Sequence, residues 1–424
     1  MRHLKIISSF LMIMGLLTTC SHSEIKVARS LESIDISGSQ NGVVRIPEEV
    51  PPVIRDVFFS YTRVMAPNGK PIHILAQAAW TEDQILKARN VLQYLLTDFP
   101  GSEYGDSKDK ITDSMSDRNA TMGLFNDVEA LEKAFNGPLR RVDLNIQDLR
   151  ANECPWEGSD DYMNHLTRDA SYEEIWHLVH DNGIKQMLPE MIAEMRMAND
   201  AAAEAGWDGY PEDEPDEHPN EYVSVLIDNY LELWAAKPKL YEGREIGPDR
   251  IPDGHSHFGR YFATTRTIMK EMDPAGYALV KKFFHPYLTY NPILPVDFDG
   301  TFSIAFNEEQ AYTWKSRHLK DVTLSGENHA NLIGNDLDNK LTGNAGDNQL
   351  TGGAGNDMLE GMDGDDIVIL TGNREDYLIT KEDGKVVIED KTENRDGKDI
   401  LLNIEILRFR DIKISLREQT ILIK

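Results

Sequence analysis

Apolar positions recur along this chain in two different rhythms. Between about residues 45 and 320 they mostly follow the 3.6-residue spacing of amphipathic helices, whereas after about residue 325 one apolar residue returns every nine. In the first region, Trp80-Thr81-Glu82-Asp83-Gln84-Ile85 sets a Thr and a Gln three apart, ahead of Ile85, Leu86, Val91, Leu92, Leu95 and Leu96. That order predicts a capping box opening a helix. Leu188-Pro189 opens a second helical run through Ala205, closed by Gly206, with Met187, Met191 and Met195 spaced for core packing. The segments Val53 to Val64 and Ile72 to Ala79 predict strands, so an α+β domain, mostly helical, is expected over 45–320. The run Glu212-Asp213-Glu214-Pro215-Asp216-Glu217 reads as a solvated loop broken by proline.

One helical segment carries candidate chemistry. From Ser171 to Asp181, Tyr172, Ile175, Trp176 and Val179 form an apolar face, while Glu173, His177 and His180 share a polar stripe. Three potential ligands on one stripe suit a metal ion such as Zn²⁺. Asn220-Glu221 then opens a helix with Val223, Leu226, Ile227, Tyr230 and Trp234 inward and Glu221 near its start. An alternative needs no metal. Ser171 and Glu174 have the spacing of a capping box, and Glu221 is a first-turn acid favoured by the helix dipole. His255 and His257, in the loop Asp253-Gly254-His255-Ser256-His257-Phe258, form a second histidine pair, for which incidental placement is the simpler reading.

The two helices together resemble the gluzincin type of zincin metallopeptidase, in which His-Glu-x-x-His on one helix is completed by a Glu on a later one. His177 matches the second histidine, Glu174 the general base and Glu221 the third ligand; Glu173 stands where the first histidine belongs. The resemblance implies a zincin-like domain with Zn²⁺ at Glu173, His177 and Glu221, His180 being an alternative third ligand. It also implies a peptide substrate and Glu174 as the catalytic base. A carboxylate in place of the first histidine is an acceptable zinc ligand.

The nine-residue rhythm is set by glycines as well as by apolar residues. Five turns begin at Gly326, Gly334, Gly343, Gly352 and Gly361, with Asn331, Asn339, Asn348, Asp357 and Asp366 at the sixth position. Ile333, Leu341, Leu350, Leu359 and Val368 stand at the eighth, each expected to point inward from a short strand. The fourth turn, Gly352-Gly353-Ala354-Gly355-Asn356-Asp357-Met358-Leu359, matches G-G-x-G-x-D-x-U-x throughout, and the array resembles the RTX nonapeptide repeat. That resemblance implies an all-β parallel β-roll with Ca²⁺ between alternate turns, so that Asn339 shares an ion with Asp357 and Asn348 with Asp366. Turn carbonyls at Gly352, Gly355, Gly361 and Gly364 and the acids Asp347 and Asp365 complete the candidate ligands. Asn at three of the sixth positions predicts weaker binding in the early turns, and an Asn-laddered solenoid that needs no ion is the alternative.

After Gly372 the repeat gives way to β-rich runs with a hairpin signal at Asp383-Gly384, resembling the module that follows RTX repeats in many bacterial proteins. It is expected to cap the roll's open edge. At the other end, Arg2 and Lys5 precede an apolar run from Ile6 to Leu17, which reads as an export signal. Leu17-Thr18-Thr19-Cys20 resembles a lipobox, with Thr19 where Gly, Ala or Ser is usual, so a lipid anchor at Cys20 and plain cleavage are both open. The domain plan is therefore a signal over 1–19, a linker over 20–44, the α+β domain over 45–320, repeats over 321–371 and a β-rich cap over 372–424. Cys154 would be the one cysteine apart from Cys20, leaving no internal disulfide. With 72 acidic against 44 basic residues the net charge is −28, which disfavours nucleic acid; solubility and divalent-cation binding both account for such a balance, and it is the export signal and the repeats that predict an extracellular or cell-surface protein binding calcium.

Overall fold

The computed structural model describes residues 24–206, 218–237, 239–241, 244–245, 261–382 and 385–417. The expected export signal with Cys20, the acidic run 212–217, the His255/His257 pair and the Asp383-Gly384 turn lie outside the described residues.

The N-terminal region is built on a five-stranded sheet whose spatial order follows the sequence. Its strands are β1 (Val44–Arg45), β2 (Ser60–Met65), β3 (Pro71–Ala76), β4 (Ala120–Phe125) and β5 (Asn145–Arg150). The first three pair antiparallel and the last three parallel. Parallel neighbours need a crossover, which the helices Glu82–Leu96 and Asp109–Asp117 supply between β3 and β4. β3 and β4 are buried at every position because both faces are covered. On one face Tyr61, Leu75 and Phe125 meet Leu31, Ile54 and Phe58; on the other Ile72, Ile74, Met122 and Leu124 meet the helices. A two-stranded hairpin, β6 (Leu240–Tyr241) with β7 (Arg244–Glu245), follows later.

The expected helix after Trp80 forms with a complete capping box: Thr81 accepts from the Gln84 amide, and Gln84 reaches back to the Thr81 amide. The run from Leu188 forms as Pro189–Glu204 and stops at Gly206, whose φ is +81°. The segment 53–64 departs from expectation in its first half. Pro52–Arg55 is a helical turn and the strand begins only at Ser60, because Pro52 sits at the first helical position where its fixed φ favours a turn.

The C-terminal region is two facing parallel ladders. One joins β8 (Thr301–Ser303), β10 (Asn331–Ile333), β12 (Gln349–Thr351) and β14 (Ile367–Ile369); the other joins β9 (Asp321–Thr323), β11 (Lys340–Thr342) and β13 (Met358–Glu360). Leu332, Leu341, Leu350, Leu359 and Val368 stack inward, each at most 1 % exposed. Burying each contributes roughly 1.5–3 kcal/mol. The first turn corrects the expected register. Its interval is eight residues rather than nine, so Leu332 and not Ile333 turns inward, and Asn331 pairs across from Gln349 on the outer face. Ala330, not Asn331, takes the inner position of that turn.

The ladder also runs past the glycine-rich turns in both directions. Upstream, β8 and β9 are its first rungs, and Phe302 packs against Tyr162 and Tyr312 at 6.0 and 5.7 Å between ring centres. One apolar core thus continues from the helical region into the roll. Downstream, β15 (Tyr377–Glu382) and β16 (Lys385–Asp390) form an antiparallel hairpin, after which β17 (Lys398–Leu402) and β18 (Ile406–Arg408) pair in parallel with β13 and β14. β19 (Lys413–Ser415) pairs antiparallel with β18 and ends that sheet.

Candidate metal centres

The helix Ser171–Val179 lies between the sheet and two other helices, contacting β4, β5, Glu82–Leu96 and His218–Tyr230. Every residue in it except Glu174 is buried. The expected polar stripe is therefore an interior feature, and its residues must find partners inside the protein. Glu173, His177 and Glu221 do so together: each offers a ligand atom, and these atoms lie within 4.8 Å of one another. His177 Nε2 is 3.6 Å from Glu221 Oε1. Ligands about 2.0–2.1 Å from a tetrahedral ion sit roughly 3.4 Å apart, so that separation needs little change to hold one.

The orientation of His177 is set by Asn220, whose side-chain amide lies 2.8 Å from Nδ1. Asn220 Oδ1 is buried without a hydrogen-bond partner. Turning that amide over, an orientation of identical shape, lets Oδ1 accept from Nδ1–H and directs a bare Nε2 at Glu221. A metal-binding histidine needs that tautomer. One feature opposes a cation here: Arg168 donates to Glu173, so an ion would share that carboxylate with a guanidinium.

His180 stands apart from the group. It begins a π-helical turn, His180–Ile184, and its Nδ1 pairs with Asp181 at 2.8 Å. The capping-box alternative for Glu174 does not form either. The residue before the helix is Ala170 with no side-chain cap, and Ser171 Oγ bonds Asp169 instead. Glu174 accepts from Gln147 on β5 at 2.8 Å. Burial, with Asp148 and Glu173 beside it, pushes its carboxyl well above the usual range, and burial likewise raises Asp148. Gln147, Asp148 and Arg168 carry no sequence signal, because only the fold brings them to this helix.

In the roll, the turns divide by the residue at the sixth position. Asn339 and Asn348 are satisfied within the protein: their amides donate to Lys320 O and Ala330 O at 2.8 Å, and their Oδ1 atoms accept from Asn335 and Asn344. Asp357 and Asp366 each accept from the turn below, at Asn339 N–H and Asn348 N–H, both 2.8 Å. Their Oδ2 atoms are buried with no partner, and they lean over Gly352 and Gly361, where an added Cβ would meet them at 2.2 and 2.3 Å. Burial pushes both carboxyls up to about 7. Orphaned carboxylate oxygens among carbonyl-lined turns fit a hard dication. At Gly355 and Gly364, φ is +112° and +126°, and an added Cβ would strike Leu337 O and Gly346 O at 2.7 and 2.6 Å. Asp347 and Asp365 lie exposed on the outer edge, where Asp347 accepts from the Asp365 amide at 2.8 Å.

Residues 333–368 match the family model of the RTX calcium-binding nonapeptide repeat in four copies. This segment is an RTX repeat array. The repeats imply calcium binding, and the donors described above suit that ion. No match to the chain is found among curated proteins. Among the described residues no helix is long and apolar enough to cross a membrane.

Proposed function

We propose that this protein is exported and stabilised by Ca²⁺ in its RTX roll, and that its N-terminal domain holds a second metal ion of the zinc class. The convergence of Glu173, His177 and Glu221 from two helices carries the second part. Zn²⁺ accepts mixed nitrogen and carboxylate sets of this kind, and Asn220 supplies the partner that metal-bound histidines require on their other nitrogen. Export follows the usual habit of RTX proteins and the signal-like N-terminus, with extracellular medium supplying the calcium; anchoring would depend on acylation of Cys20.

The test is metal analysis of the full-length protein purified without chelator. One zinc-class ion per chain, lost in a His177→Ala protein that still folds, is the expected result. A folded wild type that takes up no such ion from excess zinc would overturn this assignment.

A second reading is favoured by the position of Glu174. It follows Glu173 directly and lies three residues before His177, the place of the water-activating base in zincins. On that reading the domain is a zincin-like metallopeptidase acting on peptides, the ion supplying a nucleophilic water when bound. Gln147 would orient the Glu174 carboxyl, and Asp148 would share its proton load.

A further inference from the structure

The roll does not end where its repeats end. β17 pairs with β13 in the register Met358↔Ile400 and Leu359↔Leu401, which sets Asp399 beside Asp357 and buries Leu401 on the same stack as Leu359. The turn ahead of β17 reproduces the contacts between true repeats one by one. The Asp357 amide donates to Asp399 Oδ1 at 3.0 Å, as the Asn339 amide donates to Asp357 Oδ1 at 2.8 Å. The Lys398 amide donates to Asn356 Oδ1 at 3.2 Å, as that of Asn356 does to Asp338 Oδ1 at 2.8 Å. A Cβ added at Gly397, whose φ is +68°, would strike Gly355 O, as one added at Gly355 would strike Leu337 O. Residues 394–402 thus keep the glycine, aspartate and apolar residue of positions four, six and eight as Gly397, Asp399 and Leu401. Asn394 and Arg395 replace both leading glycines, and the family match stops at 368.

We propose that this displaced turn closes a further Ca²⁺ site against the turn 352–357, with Asp357 and Asp399 as its carboxylates. The proposal rests on the reading of the repeats as calcium-binding. Inside the array the two stacked pairs that contain an Asp each combine it with an Asn, Asn339 with Asp357 and Asn348 with Asp366. Asp357 with Asp399 has a carboxylate at both positions, and ligand charge raises affinity for Ca²⁺. Both residues are 2 % exposed, and Asp357 Oδ2 has no hydrogen-bond partner. The nearby Arg395 is committed to Asp390 and Asp376.

The other ladder provides a contrast. There the Asp366 amide donates to Glu405 Oε2 at 2.8 Å, but Arg417 pairs with Glu405 and Asp365, so a guanidinium already brings positive charge to that end. Calcium between Asp357 and Asp399 would fasten the C-terminal segment to the array across the β15–β16 hairpin.

The experiment is calorimetric Ca²⁺ titration of the full-length protein as wild type, Asp399→Asn, Asp357→Asn and Glu393→Gln. Glu393 is exposed and outside the turn, so it controls for the loss of one charge. Asn already serves at the equivalent position in two turns, so Asp399→Asn should fold, which its circular dichroism checks. It is expected to lose one ion per chain or to weaken the tightest step at least about tenfold, with Glu393→Gln unchanged. If Asp357→Asn loses an ion and Asp399→Asn titrates like wild type, this site is overturned and the repeat reading stands. A wild type that binds no Ca²⁺ overturns both.

Discussion

The backbone amide of Asn348 donates to Asp366 Oδ1 at 2.8 Å, and the other oxygen of that carboxyl is buried over Gly361 without a hydrogen-bond partner. Asp357 stands in the same relation to Asn339. Burial pushes Asp357 and Asp366 up to about 7 and Asp399 to about 8, from an ordinary 3.8. An acid with a raised pKa binds more protons folded than unfolded. Without Ca²⁺ the contribution of these three groups is therefore full below about pH 4 and is lost as pH rises through 7 to 8. Calcium needs them deprotonated, so it stabilises most where the metal-free roll is weakest. In chelator the urea midpoint of the roll should fall between pH 5 and pH 8, and saturating Ca²⁺ should remove that fall. Parallel pH profiles with and without the ion would contradict the assignment of these carboxyls.

Gly355 tests the backbone rather than the ligands. Its φ of +112° and the 2.7 Å approach of a Cβ to Leu337 O leave no room for alanine. Gly355→Ala is expected to destabilise the roll by more than about 1 kcal/mol, read as a lower thermal midpoint in saturating Ca²⁺. Gly38→Ala, where nothing lies within 4 Å of the added carbon, should leave that midpoint unchanged.

Asn348 presents the opposite case, in which restoring the residue usual for the repeat should do harm. Its side-chain amide donates to Ala330 O and to Asn344 Oδ1. A carboxylate there would face two acceptors, Ala330 O and Asn344 Oδ1, in place of the donor each now has. Asn348→Asp should destabilise the metal-free roll by about 1–3 kcal/mol. Ca²⁺ should recover part of that loss, since the new carboxylate faces Asp366. Denaturation with and without chelator reads both effects, and an unchanged metal-free midpoint would show that the ladder is not structural.

What could be read from the sequence divides by the range of the interaction. The Thr81–Gln84 capping box and the stop at Gly206 are rules of a few residues, and both were legible. The glycine spacing exposed the roll because each turn repeats the same local problem. The one eight-residue interval was enough to misplace Asn331 and Ile333, since a single deletion shifts every inward position of a strand. The stripe Glu173, His177 and His180 reads from the sequence as the polar face of an amphipathic helix, whereas every residue of that helix except Glu174 is buried and His180 turns to Asp181. Asp399 was invisible as a turn residue, because 42 positions and a hairpin separate it from Asp357.

The candidate zinc-class centre is tested most sharply at Glu174, where two readings give opposite outcomes. Its carboxyl is raised well above the usual range by burial and by Asp148 and Glu173, and it is hydrogen-bonded by Gln147. With no ion bound, a carboxyl raised in this way holds its proton more readily than an ordinary one, and a neutral amide is a close replacement for the protonated form. Glu174→Gln should therefore change stability at neutral pH by no more than about 0.5 kcal/mol. Where that carboxyl ionises, the variant should become the more stable protein, because it escapes the cost of ionising a partly buried acid beside Asp148 and Glu173. If the domain hydrolyses peptides, the same variant should keep its zinc-class ion and lose turnover, since an amide cannot accept the proton. His177→Ala should lose both ion and turnover. Peptidase activity that survives Glu174→Gln would remove Glu174 from the chemistry, and zinc that survives His177→Ala in a folded protein would place the ion elsewhere.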